Sequence, residues 1–154
     1  AMGRNAAGVR GMKLRTGDRV VGAAAVDPDL RLLTITDAGY GKRTDVSEFT
    51  VQHRGGQGIR AHKLHADRGR VVTGFLVGED DDLLLINDAG VLIRTGASDV
   101  SIQGRSATGV RVMNTAGDSK VAAVARVLSS DDSDEAGAGE EGAEDGGGEP
   151  GQSS

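Results

Sequence analysis

One pattern of residues occurs three times along this chain, and it limits the possible folds more than any other feature. The pattern is Arg-x-x-x-Gly-Val/Ile-Arg, and its copies begin at Arg4, Arg54 and Arg105. The glycines of the three copies are spaced by 50 and 51 residues. A fixed period of this length is typical of repeat architectures, in which each unit is stable only when it packs on its neighbours.

The second half of the unit also repeats. Asp-Ala-Gly at 37–39 recurs at 88–90, and a short basic-valine run at 19–21 recurs at 70–72 and 120–122. Leucine-rich runs at 32–36 and 83–86 alternate with turn signals, which indicates about four short strands per unit. This is the size of a propeller blade, so we predict an all-β fold of about two and a half blades, with further blades before residue 1.

Charge divides the chain into two segments. Residues 129–154 contain nine acidic residues and no Lys or Arg, whereas residues 1–128 contain 18 basic and 14 acidic residues. We expect 1–128 to form the blades and 129–154 to be a disordered acidic Gly/Ser-rich tail, because the tail has too few apolar groups to form a core. The tail either competes with a polyanionic ligand for the basic segment or increases solubility. Unchanged affinity for that ligand after deletion of the tail would reject competition.

Composition excludes several classes of protein. The chain has no Cys, which rules out disulfides and Cys-ligated metal sites and is compatible with a reducing cytoplasm. No apolar run approaches the roughly 18 residues of a membrane span. Only three aromatic residues occur, Tyr40, Phe49 and Phe75, so a base-stacking platform for single strands is not expected.

Several strings in residues 1 to 128 resemble one family, the C-terminal domain of the A subunit of bacterial DNA gyrase. These strings are Gly-Tyr-Gly-Lys-Arg-Thr at 39–44, Gly-Val-Leu-Ile-Arg-Thr at 90–95, Val-Ser-Ile-Gln-Gly-Arg at 100–105 and Val-Ala-Arg-Val at 124–127. The resemblance implies β-pinwheel blades that wrap duplex DNA. It is specific because the strings occur in the order and spacing of the family.

Residues 52–58 resemble the gyrase box of that family, Gln-Arg-Arg-Gly-Gly-Lys-Gly, at five of seven positions. The box-like motif here consists of Gln52, His53, Arg54, Gly55, Gly56, Gln57 and Gly58. Both departures replace a basic residue, so we interpret the motif as a secondary, weakened box. Its glycines either let backbone N–H groups approach a phosphate or form a tight connection between blades.

The resemblance also implies a role within a larger enzyme. Gyrase is a type II topoisomerase that introduces negative supercoils with ATP, and its A and B subunits form an A2B2 heterotetramer. The implied partners are duplex DNA, the rest of the A subunit and the B subunit, in the cytoplasm at the nucleoid, and no membrane. We predict no catalytic residue and no cofactor here, with ATP and Mg²⁺ acting elsewhere in the holoenzyme. Tyr40, the only Tyr, is interpreted as a packing or turn residue.

Basic residues recur in the same positions of successive units, so we predict that they form a stripe on the rim and contact phosphates without reading base sequence. The predicted DNA-binding residues are Arg10, Lys13, Lys42, Arg43, Arg54, Arg60, Lys63, Arg94, Arg105 and Arg111. The acidic run 79–82 is interpreted as a solvated hairpin tip, and no metal site is predicted.

Two other functions remain open. One is the corresponding domain in the A subunit of topoisomerase IV, which shares the blade pattern but not the box. The other is a protein-interaction β-propeller whose basic rim binds acidic partners and no DNA. Binding that is tighter to longer duplexes and steeply dependent on salt distinguishes a DNA-wrapping domain from the latter.

Overall fold

The computed structural model describes residues 7–127. Their regular secondary structure consists of seven β-strands and three single-turn 3₁₀ helices, joined by turns and irregular segments. The strands are β1 (Arg31–Thr36), β2 (Tyr40–Asp45), β3 (Val71–Val77), β4 (Asp82–Asn87), β5 (Leu92–Gly96), β6 (Val110–Arg111) and β7 (Val121–Val127), and the 3₁₀ helices are Val46–Glu48, Ala66–Arg68 and Ala97–Asp99. The all-β prediction is confirmed. The acidic tail predicted at 129–154 lies outside the described residues.

The strands form two antiparallel sheets, one for each complete unit. The first sheet has the order β3-β1-β2-β6 and the second has the order β5-β4-β7. In each sheet the leucine-rich strand and the following strand form a hairpin around an Asp-Ala-Gly turn. The glycines of these turns, Gly39 and Gly90, both have a φ of 80°, a left-handed conformation that glycine adopts without steric cost. The recurring Asp-Ala-Gly string is therefore the hairpin turn.

Each hairpin is completed by a strand from the following unit. Strand β3 comes just before β4 in the sequence, yet it pairs with β1 in the first sheet, where Leu33 lies opposite Phe75. Strand β7 pairs with β4 in the same way, with Leu84 opposite Ala125. Both pairings contain a register shift at the corresponding point, after Ile35 in one sheet and after Ile86 in the other. This exchange of strands links the units along the chain.

The hydrophobic core joins the two sheets. Leu33 and Ile35 alternate along one face of β1, and Leu83 and Leu85 alternate along one face of β4, as the two-residue period of a strand requires. All four side chains are fully buried and belong to one cluster together with Val77. Burying a side chain of this size contributes about 1.5–3 kcal/mol to stability, so the repeated leucines hold the two units together.

The first copy of the basic-valine run does not form a strand. Residues 19–21 lack regular structure, whereas the later copies begin β3 and β7. Val20 is 65% exposed and Val26 is 80% exposed. Among the described residues no strand pairs with this segment, and a strand cannot form ladder hydrogen bonds without a pairing partner. The repeat therefore predicts a strand wrongly at this copy. No helix within residues 7–127 has the length and apolar character that a membrane span requires.

Candidate nucleic-acid interface

The described part of the first repeat, from residue 7 onward, lies beside the second copy of the Arg-x-x-x-Gly-Val/Ile-Arg pattern. The backbone N–H of Lys13 donates to the carbonyl oxygen of Gly56 at 2.8 Å, and the N–H of Gly55 donates to the carbonyl oxygen of Gly11 at 2.9 Å. Met12 and Gly56 form a parallel β-bridge at the same place. Backbone hydrogen bonds therefore fix the spacing between the basic side chains of the two copies.

The second and third copies are joined in the same manner. The N–H of Lys63 donates to the carbonyl oxygen of Ala107 at 3.1 Å, which repeats the bond made by Lys13 one unit earlier. The guanidinium of Arg105 also donates to the carbonyl oxygen of Arg60 at 3.2 Å. The three copies form one continuous series, which we call the cationic row. Its members are Arg10, Lys13, Arg54, Arg60, Lys63, Arg105 and Arg111.

The charges of the cationic row are open to solvent. Six of its seven side chains belong to exposed residues, and only Arg105 is half-buried. Within residues 7–127 no salt bridge involves any member of the row. One carboxylate, that of Glu48, lies beside the row and accepts the backbone N–H of Arg105 at 2.9 Å. Seven cations outnumber it, so the row has a local positive potential even though the chain as a whole has a net charge of −5. The row can therefore pair with an extended anion at little desolvation cost.

A glycine with positive φ sets the backbone direction in every copy. Gly8, Gly58 and Gly109 have φ values of 78°, 70° and 78°. Other residues adopt this left-handed conformation at a cost of roughly 1–2 kcal/mol. A Cβ added at Gly109 would also lie 2.5 Å from the carbonyl oxygen of Gly41. The repeated glycine thus has a conformational reason, and it places the following Arg in the same position of each unit.

The box-like motif forms a turn on this row. Gln52, His53 and Arg54 are exposed, and the N–H of Gly56 donates to the carbonyl oxygen of His53 at 3.4 Å. Because the N–H of Gly55 is also bonded to a carbonyl of the first copy, neither amide points to a free anion. The geometry favours the second interpretation of these glycines, a tight connection between units. The side chains of His53 and Arg54, together with Gln52, remain exposed at this turn.

The structure buries two of the predicted rim residues, Lys42 and Arg43. The Lys42 side chain is fully buried, and its Nζ donates to the carbonyl oxygens of Gly104 at 2.5 Å and Arg105 at 2.9 Å. Burial lowers the pKa of Lys42 from its ordinary value, while the nearby Glu48 carboxylate opposes this shift. The expectation of rim exposure is wrong for Lys42. Its ammonium instead supports the backbone from which Arg105 projects.

Arg43 is 3% exposed and holds the connection after β5. Its guanidinium donates to the carbonyl oxygens of Val100 at 2.7 Å and Ser98 at 3.2 Å, and to the carboxylate of Glu79 at 2.7 Å. Hydrogen bonding to Arg43 lowers the pKa of Glu79 from its ordinary value. The prediction of a rim position is therefore wrong for Arg43 too.

Arg94 occupies the position in the second unit that Arg43 occupies in the first. Its side chain is 66% exposed and forms a salt bridge with Asp82 of the neighbouring strand. It lies in β5, opposite Leu84, and no hydrogen bond connects it with the cationic row. The repeat places Arg43 and Arg94 in corresponding positions, but their surroundings differ. The connection after β5 encloses Arg43, and no corresponding segment of a further unit lies beside Arg94 within the described residues.

The acidic run at 79–82 is only partly a solvated tip. Asp81 is 5% exposed, accepts a hydrogen bond from the N–H of Gly78 at 2.5 Å and lies 2.6 Å from Nε of Arg126. Glu79 pairs with Arg43, as described above. The prediction of a solvated tip is therefore wrong for Asp81, whereas Glu79 is exposed as predicted, with a side-chain exposure of 52%. Within the described residues no three acidic or His side chains are grouped so as to hold a metal ion.

His62 links the second copy to the first sheet from a buried position. Its Nδ1 lies 2.9 Å from the hydroxyl of Thr34, and its Nε2 lies 3.0 Å from the carbonyl oxygen of Thr108. The carbonyl can only accept, so Nε2 carries the proton and Nδ1 accepts from the hydroxyl. Burial lowers the pKa of His62 from its ordinary value of 6.5, so the neutral ring predominates at pH 7. This histidine has a structural role.

Two arginines contact the ring of Tyr40, and the sequence pointed to only one of them. The guanidinium carbon of Arg68 lies 4.1 Å from the ring centroid, and that of Arg111 lies 4.9 Å from it. Comparison of the repeats gave no signal for Arg68, because the positions that correspond to it are Gly17 and Asp118. The interpretation of Tyr40 as a packing or turn residue agrees with its half-buried position at the start of β2.

Comparison with known families finds the same three units. The profile described as "DNA gyrase C-terminal domain, beta-propeller" matches residues 1–27, 31–77 and 81–127. The DNA gyrase A subunit of Staphylococcus epidermidis is 42% identical over 133 residues, which is 85% of this chain and 15% of the relative. That of Staphylococcus aureus is 41% identical over 139 residues, 87% of this chain and 15% of the relative. The chain thus spans about 15% of the length of these relatives.

Solved structures show the same fold. The structure of a DNA gyrase A C-terminal domain superimposes with a TM-score of 0.72 at 34% identity, covering 79% of this chain and 41% of that one. The C-terminal domain of a DNA topoisomerase IV superimposes with a TM-score of 0.71 at 24% identity, covering 79% of this chain and 38% of that one. The second likeness concerns the fold alone.

Proposed function

The chain belongs to the family of DNA gyrase C-terminal, β-propeller domains, and we propose that it is the DNA-binding and DNA-wrapping portion of a gyrase A subunit. Its contribution is geometric: it presents a curved series of cations to the phosphates of duplex DNA. The cleavage and rejoining of strands belongs to other parts of the whole enzyme. Gyrase would use this contribution to introduce negative supercoils.

The observation that carries the proposal is the cationic row. Backbone hydrogen bonds join the three repeated segments that carry its seven basic residues. None of these seven residues has a salt-bridge partner within residues 7–127. Each phosphate that a cation neutralises releases counterions, with a slope of about 0.9 in log affinity against log salt concentration. If all seven engage, affinity falls by about six decades for a tenfold rise in salt. Such binding is independent of base sequence.

The partners of the whole protein follow from the family. They are duplex DNA, the remainder of the A subunit and a B subunit in an A2B2 heterotetramer, located in the cytoplasm at the nucleoid. ATP and Mg²⁺ act in those other parts, and this chain contributes no residue to them. The identity of 34% to a gyrase domain against 24% to a topoisomerase IV domain favours gyrase. The box-like motif at 52–58 favours the same choice.

The test compares a short duplex of about 20 base pairs with one of about 100 base pairs over a salt series. A wrapping domain binds the longer duplex more tightly than the number of available sites explains, and its affinity falls steeply with salt. Circular dichroism of the same sample shows that the chain is folded. A folded chain that binds both duplexes equally, or neither, would contradict the proposal and favour a protein-interaction β-propeller.

A further inference from the structure

The cationic row continues at its third copy into a cleft built around Tyr40. Strand β6 places Arg111 opposite Tyr40 of β2, and the Arg111 guanidinium donates to the Tyr40 hydroxyl at 2.6 Å. The 3₁₀ helix Ala66–Arg68 brings the guanidinium of Arg68 over the same ring. Both cations lie within 5 Å of the ring centroid, so the two guanidinium carbons are no more than about 9 Å apart.

The cleft beside this cluster is lined by charges of both signs. It has a volume of about 1080 Å³, and its lining includes Arg70 and Lys120 together with the carboxylates of Asp37, Asp67 and Asp118. One of these charges is paired, because Nζ of Lys120 lies 3.6 Å from Asp37. Arg111, the last member of the cationic row, lines this cleft, so the row and the cleft share a cation.

The two guanidiniums over Tyr40 keep much of their hydrogen-bonding capacity. Arg111 donates to Tyr40 and to the Asn114 side chain at 3.2 Å, which uses two of the five N–H groups of a guanidinium. The acidic contact of Arg68 is Asp67 at 3.5 Å, and that carboxylate is 77% exposed. Neither cation has a buried acidic partner among residues 7–127. Two neighbouring cations repel each other, and an anion that bridges them removes this repulsion.

From this geometry we infer that Arg68 and Arg111, held over the ring of Tyr40, form a phosphate-binding subsite for the backbone of duplex DNA. The inference rests on the proposed function and adds Arg68 and Tyr40 to the contact surface. The negative face of the aromatic ring attracts both cations and orients them, which leaves their outer N–H groups for phosphate oxygens. The second unit has Val91 in place of Tyr40, so the subsite occurs once in the two described hairpins.

Tyr40 provides a direct reporter, because it is the only tyrosine of the chain. In a sample with labelled tyrosine, its ring gives one set of NMR signals. Titration with a duplex of about 20 base pairs is expected to shift these signals with the same midpoint as binding measured by anisotropy. Inorganic pyrophosphate at equal ionic strength is the free-anion probe. A shift with pyrophosphate but none with the duplex would overturn DNA as the ligand.

Substitutions then measure the number of phosphates held. Arg68→Gln and Arg111→Gln should each reduce the salt slope of duplex binding by about 0.9. Tyr40→Phe keeps the ring and should leave the slope unchanged, whereas Tyr40→Leu should reduce it. Arg31→Gln is the matched control, because Arg31 lies outside the cationic row and its guanidinium is paired with both Asp45 and Glu79, so its slope should equal that of the wild type. Circular dichroism verifies the fold of each variant.

The outcomes separate this inference from the proposed function. If Arg54→Gln and Arg60→Gln reduce the slope while Arg68→Gln and Tyr40→Leu leave it unchanged, the row binds DNA and the subsite is refuted. If the folded chain binds no duplex at all, both are refuted. Reduced slopes for Arg68→Gln and Arg111→Gln, with a duplex-dependent shift of the Tyr40 ring, support the subsite.

Discussion

Replacing Arg43 by methionine should destabilise the chain far more than the same replacement at Arg94, although the two residues occupy corresponding positions of the repeat. Arg43 is 3% exposed and donates to two main-chain carbonyls, those of Val100 and Ser98. Methionine fills much of the same volume but donates nothing. The carbonyl of Val100, a residue with 1% exposure, then loses its side-chain donor in a place that water reaches poorly.

The expected magnitude follows from the hydrogen bonds lost. A buried polar group left without its partner costs about 1–3 kcal/mol, and the exposed neighbour Ser98 recovers part of its loss from water. We therefore expect Arg43→Met to lower the free energy of unfolding by about 3 kcal/mol. Arg94 loses only an exposed salt bridge with Asp82, and such pairs contribute about 0–1 kcal/mol.

Urea unfolding followed by circular dichroism measures the difference. The free energy of unfolding falls by about 1.5 kcal/mol per molar urea for a small domain. The urea midpoint should therefore fall by about 2 M for Arg43→Met and by less than about 0.7 M for Arg94→Met. Equal shifts for the two variants would refute the assignment of Arg43 to the interior. Normalised for the folded fraction, DNA affinity should change little in Arg43→Met, because its charge does not reach the surface.

Three further effects follow from individual contacts. The unfolding free energy should fall as the pH drops below about 6.5, because the lowered pKa of buried His62 means that the unfolded chain takes up the proton first. His62→Gln should weaken this pH dependence. Gly39→Ala should cost at least about 3 kcal/mol, because its Cβ would lie within 3 Å of a carbonyl oxygen, whereas Gly90→Ala, which has the same φ and open space, should cost about 1 kcal/mol in thermal or urea unfolding. Leu83→Ala should cost about 2–5 kcal/mol in the same assays, because this fully buried side chain joins the two sheets.

The sequence predicted the fold class because the repeat is encoded locally. Strand periodicity and the Asp-Ala-Gly turns are properties of neighbouring residues, and a unit of about 50 residues limits the architecture. The exchange of β3 and β7 into the preceding sheet could not be read in this way, since it depends on which hairpin a strand meets in space. The same reason explains the unpaired copy at residues 19–21.

The candidate interface was predictable where charge and backbone position repeat together. The cationic row was found from its register, because backbone hydrogen bonds keep the three copies in equivalent places. The position in the repeat did not distinguish Arg43 from Arg94. The burial of Arg43 depends on the connection after β5, which belongs to the following unit, and not on its own position within the unit. Arg68 gave no repeat signal at all, because its contact with Tyr40 is particular to one unit.

The central claim is that the cationic row binds the phosphates of duplex DNA, and counting those phosphates tests it most directly. Duplex affinity of the chain and of a variant with Arg10, Arg54, Arg60 and Lys63 all replaced by Gln should be measured over the same salt series. We predict that the slope of log affinity against log salt falls by about 3.6, which is about 0.9 for each cation removed, with the folded structure unchanged by circular dichroism. An unchanged slope in a folded variant would contradict the account, because it would show that DNA binds elsewhere on the chain.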